Sequence, residues 1–395
     1  MAVQRGGPSL STGVGAAVDR RRAGAGVAAT LGCVVATSVA AAAIVFGSSL
    51  SELVDDPESY GWPWDIAVIT GAGYGDTQPD VVEERLARAD VQDDIVDHSY
   101  FEFDPGALLD GRAAPVVFGY PNAVDTSFPV LEGRDARSAG EAVLGRDTAS
   151  ELDLEVGDRV TLAAVQHDEI EVEVVGLAAL PELGSFVADR TGLDTGVFVL
   201  IDEDPAARSS AALTAIRLRE GADPDAVKAK LDPDLRSWSA LSEVPVSHAG
   251  PVRQAEIVNV SELRSAPLVL GGLLLASLCL GLGLAIGLSV RDRRRELAVL
   301  RVLGFGDRDV RRSVRWHGLA LVVAGLVVGV PLGVVAGRFA WRAFADRLGV
   351  VPEPAVPLPV LVALVLVTLV LGWIAVALPA RAAARISPAE ELLAT

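Results

Sequence analysis

A chain of 395 residues, 51% apolar, 22% charged and with a net charge of −18, has the length of two or three soluble domains. Its mean hydropathy of +0.40 argues against that reading, because soluble domains this apolar would need an unusually large core. Only two cysteines occur, Cys33 and Cys279, both in apolar runs, which excludes a disulfide-stapled fold; the acidic balance excludes a nucleic-acid binder.

Residues 1–22 form a tail with Arg5, Arg20, Arg21 and Arg22 against Asp19. An apolar run follows at 23–50, and three more lie at 266–290, 318–337 and 358–380; none contains Asp, Glu, Lys, Arg or His. Each has the roughly 20 residues that a helix needs to span a hydrocarbon core. The first run is rich in Ala and Gly and is about twice the length of a signal-peptide core, so an uncleaved anchor is expected. The expected fold is therefore an integral membrane protein of four transmembrane helices, with a large α+β domain at 51–265 between the first and second.

That intervening segment carries 16 basic and 43 acidic residues, an excess of acid that suits a solvated, translocated domain. Its sequence alternates short apolar stretches with helix-like ones. "DIAVIT" (65–70), "EAVLG", "DRVTLAAV", "EIEVEVVGLA" and "TGVFVLI" read as strands, rich in Val and Ile with alternating faces. "PDVVEERLARA" (79–89) reads as a helix, and "AIRLR" (215–219) followed by "DPDAVKAKL" as a strand–helix pair. "ITGAGYGDTQPD" has glycines at 71, 73 and 75, not the dinucleotide-binding spacing, and reads as a glycine turn with Thr77 as a helix cap. His98, His167 and His248 lack metal-ligand spacing, and no catalytic constellation can be defended. No cofactor, metal or enzymatic activity is expected. Helical spacing through Val252, Ile257, Val260 and Leu263 suggests a stalk leading into the second span.

Residues 291–317 form a different kind of segment. Nine of the 34 basic residues crowd into 291–315, against four acids. The positive-inside rule places this segment and both tails, 1–22 and 381–395, in the cytoplasm, and 51–265 and the short loop 338–357 outside. Leu297, Leu300 and Leu303 share one face of an amphipathic helix suited to the anionic lipid surface; Gly304 can end it and Asp307 can start the next helix. Phe305 then stands between two glycines at the tip of a turn, placed to fill a pocket on a partner. Simple surface adhesion and topology setting is the plainer alternative.

The spans contain no ionisable pathway but many small residues. Gly325, Gly329, Gly333 and Gly337 recur every four positions, and Gly283 and Gly287 repeat the pattern in the second span, so close helix packing is expected. Pro331 is expected to kink the third span, and Trp316 and Trp341 to mark its two interfaces.

Residues 293–338, "RRRELAVLRVLGFGDRDVRRSVRWHGLALVVAGLVVGVPLGVVAGR", and the ending "LPARAAARISPAEELLAT" resemble the core and C-terminus of FtsX-like permeases, the membrane subunits of MacB-type ABC transporters. "GRDTASELDLEVGDRVTLAA" with "EIEVEVVGLA" is similar to their extracytoplasmic core domain. The resemblance implies a coupling segment that docks on an ATPase, carried here by Arg293, Arg294, Arg295, Glu296, Arg301, Gly304 and Phe305. His317 stands where members often have Gln or Glu. It also implies mechanotransmission: ATP and Mg on a separate cytoplasmic ATPase would drive movement of the outer domain. No G-x-x-x-x-G-K-[ST] occurs in this sequence, so that ATPase must be supplied. "LSTGVGAAVDRRRAGAG" and "YGWPWDIAV" look like the start of the second repeat in longer, duplicated members. A homologous permease half is then an expected partner, with homodimerisation through the glycine faces as the alternative. An envelope regulator, whose outer domain binds a wall hydrolase or sensor, is the rival reading.

Overall fold

The computed structural model describes residues 24–71, 77–120, 128–165, 167–182, 192–202, 212–239, 245–249 and 307–383, with isolated positions between 266 and 281. The helices are α1 (Gly24–Asp55), α2 (Pro79–Leu86), α3 (Arg146–Leu152), α4 (Pro224–Leu231), α5 (Asp307–Leu348) and α6 (Leu358–Ala383). The strands are β1 (Ile66–Thr70), β2 (Ile95–Asp104), β3 (Leu108–Leu109), β4 (Arg112–Ala113), β5 (Val116–Gly119), β6 (Val130–Gly133), β7 (Glu141–Leu144), β8 (Arg159–Ala163), β9 (Ile170–Ala178), β10 (Val197–Leu200), β11 (Leu213–Leu218) and β12 (Val246–Ala249). They form two compact units, one of residues 1–52, 260–342 and 353–395, the other of 53–259 and 343–352.

The first unit is helical because an apolar segment in lipid must satisfy its backbone internally. Among the described residues, three helices are long and apolar enough to cross a membrane: Thr30–Asp55, Gly318–Leu348 and Leu358–Ala377. The run at 266–290 is helical at its described positions, where Gly271 lies against Ala40 and Ala43, but most of it falls outside the described residues. Helix α5 does not stop at Gly337, where its apolar run ends. It continues to Leu348, so most of the expected loop 338–357 is helix. "FAWRAFADRL" explains this, since Ala, Arg and Leu are strong helix formers. Pro331 lies within this one continuous helix.

The second unit is a sheet-rich α+β domain. Its strand order is β12-β1-β11-β2-β5-β10-β7-β9-β8-β3-β4, with β6 on β9. The sequence-read strands at 65–70, 141–145, 158–165, 169–178, 195–201 and 215–219 all appear as β1, β7, β8, β9, β10 and β11. Along β9, Val172 and Val174 are buried while Glu171 and Glu173 face out, where both carboxylates meet Arg159 of β8 at 3.7 and 3.2 Å. Strand β1 is buried at all five positions. One side of the core holds Val116, Phe118, Val197, Val199 and Trp238; elsewhere Trp64 packs on Trp62, Phe101 and Phe128.

Thr77 is not the cap of α2. That position belongs to Gln78, and Thr77 Oγ1 instead shares a 2.8 Å hydrogen bond with Thr70 Oγ1. Helix α4 is capped by Asp223, whose Oδ1 accepts from the Asp225 amide at 3.0 Å.

A polar clamp in this unit joins the β6–β7 connection to β7. The Arg134 guanidinium donates two 2.7 Å hydrogen bonds to Glu141, whose carboxylate also accepts from the Arg137 amide at 2.8 Å. The Arg134 fork, aided by those amides, lowers the Glu141 carboxyl from 4.5 to about 2. A depressed carboxyl contributes stability above its unfolded value and loses it as pH falls through its folded one. Glu141→Gln should therefore lower the unfolding temperature of the full-length protein at pH 7, with the difference from wild type shrinking below pH 4.5 and vanishing near pH 2. An equal unfolding temperature at pH 7 would show that the clamp contributes nothing.

Candidate functional site

The glycine stripe of α5 closes on α1 of the same chain. A methyl carbon added at Gly325 would sit 2.6 Å from Cys33 Cβ, and one at Gly329 would sit 2.8 Å from the Val34 carbonyl oxygen and overlap the Thr37 hydroxyl. At Gly333 the obstacle is Ala41 Cβ at 2.7 Å, and at Gly337 it is Val45 Cβ at 2.9 Å. Real methyls are not tolerated at these distances, so the four glycines permit backbone-to-backbone approach. Thr37 Oγ1 donates to the Cys33 carbonyl at 2.7 Å and lies 3.3 Å from the Gly325 carbonyl; Cys33 Sγ lies 3.8 Å from the Val322 carbonyl.

Gly325 meets Cys33 near one end of the pair and Gly337 meets Val45 near the other, so α1 and α5 are parallel. Helix α6 runs the other way. Its Leu361 and Leu364 pack with Ala40, Ala41 and Ile44, while Gly372 sits against Val322. The C-terminal ends of α1 and α5 thus share one end of the helical unit with the start of α6. There Trp341 meets Phe46 edge-on at 5.7 Å and donates from Nε1 to the Glu353 carbonyl at 3.1 Å, and the Ala355 amide donates to Ser49 Oγ at 2.9 Å. At the opposite end the Arg315 guanidinium lies 5.3 Å above the Trp373 ring.

Two expectations change. Trp341 is only 1% exposed, so it packs between helices and is not an interfacial belt residue. The glycine face of α5 is used within the chain and is not open for homodimerisation. Lateral surface remains on other faces, where Val327, Val335 and Phe339 of α5 and Val362, Leu366 and Trp373 of α6 are exposed.

Arg293, Arg294, Arg295, Glu296, Arg301, Gly304 and Phe305 lie outside the described residues, as do Gly283, Gly287 and the stalk at 252–264. Helix α5 does begin at Asp307, where the sequence suggested a second helix.

In the sheet unit the three histidines go to three separate carboxylates: His98 Nε2 to Glu83 at 2.7 Å, His167 Nε2 to Glu102 at 3.3 Å, and His248 Nδ1 to Asp232 at 3.1 Å. Burial lowers the His248 imidazole pKa, against the opposing pull of Asp232. Burial, with Glu83 adjacent, raises the Tyr100 phenol pKa. Among the described residues no three His, Cys, Asp or Glu side chains converge as a metal site.

The sequence reading missed Asp194, a carboxyl 1% exposed whose pKa burial raises to about 8. "GLDTG" carries only a turn signal, and the packing that buries Asp194 comes from distant segments.

The description "FtsX-like permease C-terminal" matches residues 268–388, and "MacB-like periplasmic core domain" matches 27–234, more than half of the chain. The chain belongs to the FtsX-like permeases with a MacB-like core domain. Among relatives, the pyoverdine export ATP-binding/permease protein PvdT of Pseudomonas putida is 28% identical over 294 residues, covering 70% of this chain and 41% of that protein. The lipoprotein-releasing system transmembrane protein LolE of Haemophilus influenzae is 24% identical over 211 residues, covering 50% of this chain and 47% of that protein. The chain thus spans less than half the length of either. The periplasmic region of MacB from Actinobacillus actinomycetemcomitans aligns at 9% identity with a TM-score of 0.34, covering 50% of this permease and 93% of that structure.

The helix contact predicts a directional mutational pattern. Gly329→Leu should destabilise the detergent-solubilised permease by about 1–3 kcal/mol, the usual range for overpacking, read as a lower unfolding temperature. Val327→Leu, two positions away and 68% exposed, should leave it unchanged. Equal effects at both positions would contradict the α1–α5 contact.

Proposed function

We propose that this chain is the permease subunit of an ABC transporter, coupling ATP hydrolysis on a separate cytoplasmic subunit to movement of its outer domain. Family membership carries this reading, and the two relatives named above, one for pyoverdine export and one for lipoprotein release, favour export over a purely regulatory role. The parallel packing of α1 and α5 and the return of α6 agree with the order expected of alternating spans, and no ionisable residue in the apolar runs offers a conduction path.

On this reading the segment at 291–315 and both tails face the cytoplasm, and Arg293, Arg294, Arg295, Glu296, Arg301, Gly304 and Phe305 dock the ATPase, where ATP and Mg bind. The second span completes a four-span unit, and a homologous permease half completes the transporter, meeting this chain through surfaces other than the glycine stripe. The chain itself performs no hydrolysis.

Affinity purification of the intact protein from its native membrane tests the docking role. An ATPase subunit should co-purify with wild type and be lost when Arg294, Arg295, Arg301 and Phe305 are all replaced by Ala. If neither form carries an ATPase, the arginines serve topology and lipid adhesion alone and the transporter reading fails.

A further inference from the structure

Residues 343–352 belong to the same compact unit as the sheet, and Asp194 is where that unit grips them. Helix α5 ends at Leu348, and Gly349 turns the chain with φ +64, a left-handed helix terminus that glycine adopts without strain. The Val350 amide donates back to the Ala345 carbonyl at 3.2 Å, and the Val351 amide donates to the Ser59 carbonyl at 3.0 Å. Ala345, Gly349 and Val350 are all buried. A methyl group on Gly349 would overlap the Asp194 carboxyl, so that carboxyl lies directly against the backbone of the turn.

Asp194 itself is held rigidly. Its φ is +61, its amide donates to the Leu180 carbonyl at 3.0 Å, and its carbonyl accepts from the Asp147 amide at 3.3 Å. Gly145 approaches that carbonyl so closely that a side chain there would collide with it. Neither carboxyl oxygen has a hydrogen-bond partner of ordinary geometry. The charged groups acting on it are Arg146 and Asp147 of α3, and Arg146 is in turn held by Asp346 of α5 in a 3.0 Å ion pair. The Leu180 and Gly145 contacts are main-chain. A buried carboxylate that lacks a hydrogen bond of ordinary geometry is strongly disfavoured, whereas the neutral acid is tolerated.

We propose that Asp194 is a proton-binding site that seats the end of α5: the neutral carboxyl packs against the Gly349 turn, and its ionisation releases the turn. Burial, opposed by the Arg146 amide, raises the carboxyl from 3.8 to about 8 in the seated arrangement. A group that binds its proton more tightly when seated favours seating at low pH; that preference falls as pH rises from 3.8 and is lost by about 8. The pH on the sheet-bearing side of the chain would then set how firmly the end of α5 is held, whatever ATPase drives the rest.

Hydrogen exchange on the full-length protein in lipid nanodiscs, read at the Val350 and Val351 amides and corrected for intrinsic exchange, tests this. Wild-type protection should fall about tenfold per pH unit between about pH 6 and 8. Asp194→Asn, which keeps the shape and removes the titration, should hold it constant. Asp346→Asn should lower protection at every pH and keep the slope, since it breaks the neighbouring tie and leaves the proton site. Flat wild-type protection overturns the proposal without any variant, and the same slope in Asp194→Asn overturns it too.

Discussion

The close contact between α1 and the glycine face of α5 is the constraint on which the helical unit depends. In lipid no hydrophobic force drives one apolar helix onto another, so association rests on how near the backbones can come. Four glycines at intervals of four keep one stripe of α5 bare, and Cys33, Thr37, Ala41 and Val45 enter it in step. This register fixes the direction of the pair, and the direction fixes which ends lie together. The antiparallel seat of α6 and the cap of Trp341 and Phe46 follow from that arrangement.

The contact between α1 and α5 is built of small residues on both helices. The apolar runs hold no Asp, Glu, Lys, Arg or His, and the buried Thr37 and Ser49 hydroxyls hydrogen-bond to backbone carbonyls one turn earlier. Both long helices also outlast their apolar runs. Helix α1 continues to Asp55 and α5 to Leu348, and their final residues belong to the sheet-bearing unit. The same two helices therefore contribute residues to both units.

Much of this was legible from residue patterns, and the misses have a common cause. Strands β1, β7, β8, β9, β10 and β11 could be read because Val and Ile alternate or run continuously there. Strand β2, "IVDHSYFEFD", could not, because its polar residues are accommodated by neighbours far along the chain: His98 by Glu83 of α2, and Glu102 by His167. The glycine stripe was visible, but glycine only states that a helix can be approached; the identity of the approaching helix depends on shape matching over almost 300 residues of separation. The arginines at 338, 342 and 347 read as a loop because charge ends an apolar run, although charge does not end a helix. Asp194 gave no more than a turn signal, since its burial involves Gly145 and Gly349, which converge on it only in the folded chain.

The account stands most directly on the claim that the glycine face of α5 is filled by α1 of the same molecule. Spin labels at Leu31→Cys and Val323→Cys, both on exposed faces, with Cys279 replaced by Ala and buried Cys33 retained, report that distance in lipid nanodiscs. The account predicts a single narrow distance distribution that is unchanged when labelled protein is diluted with unlabelled protein before reconstitution. A broad distribution, or one whose dipolar signal disappears on dilution, would mean that the stripe pairs between molecules or not at all.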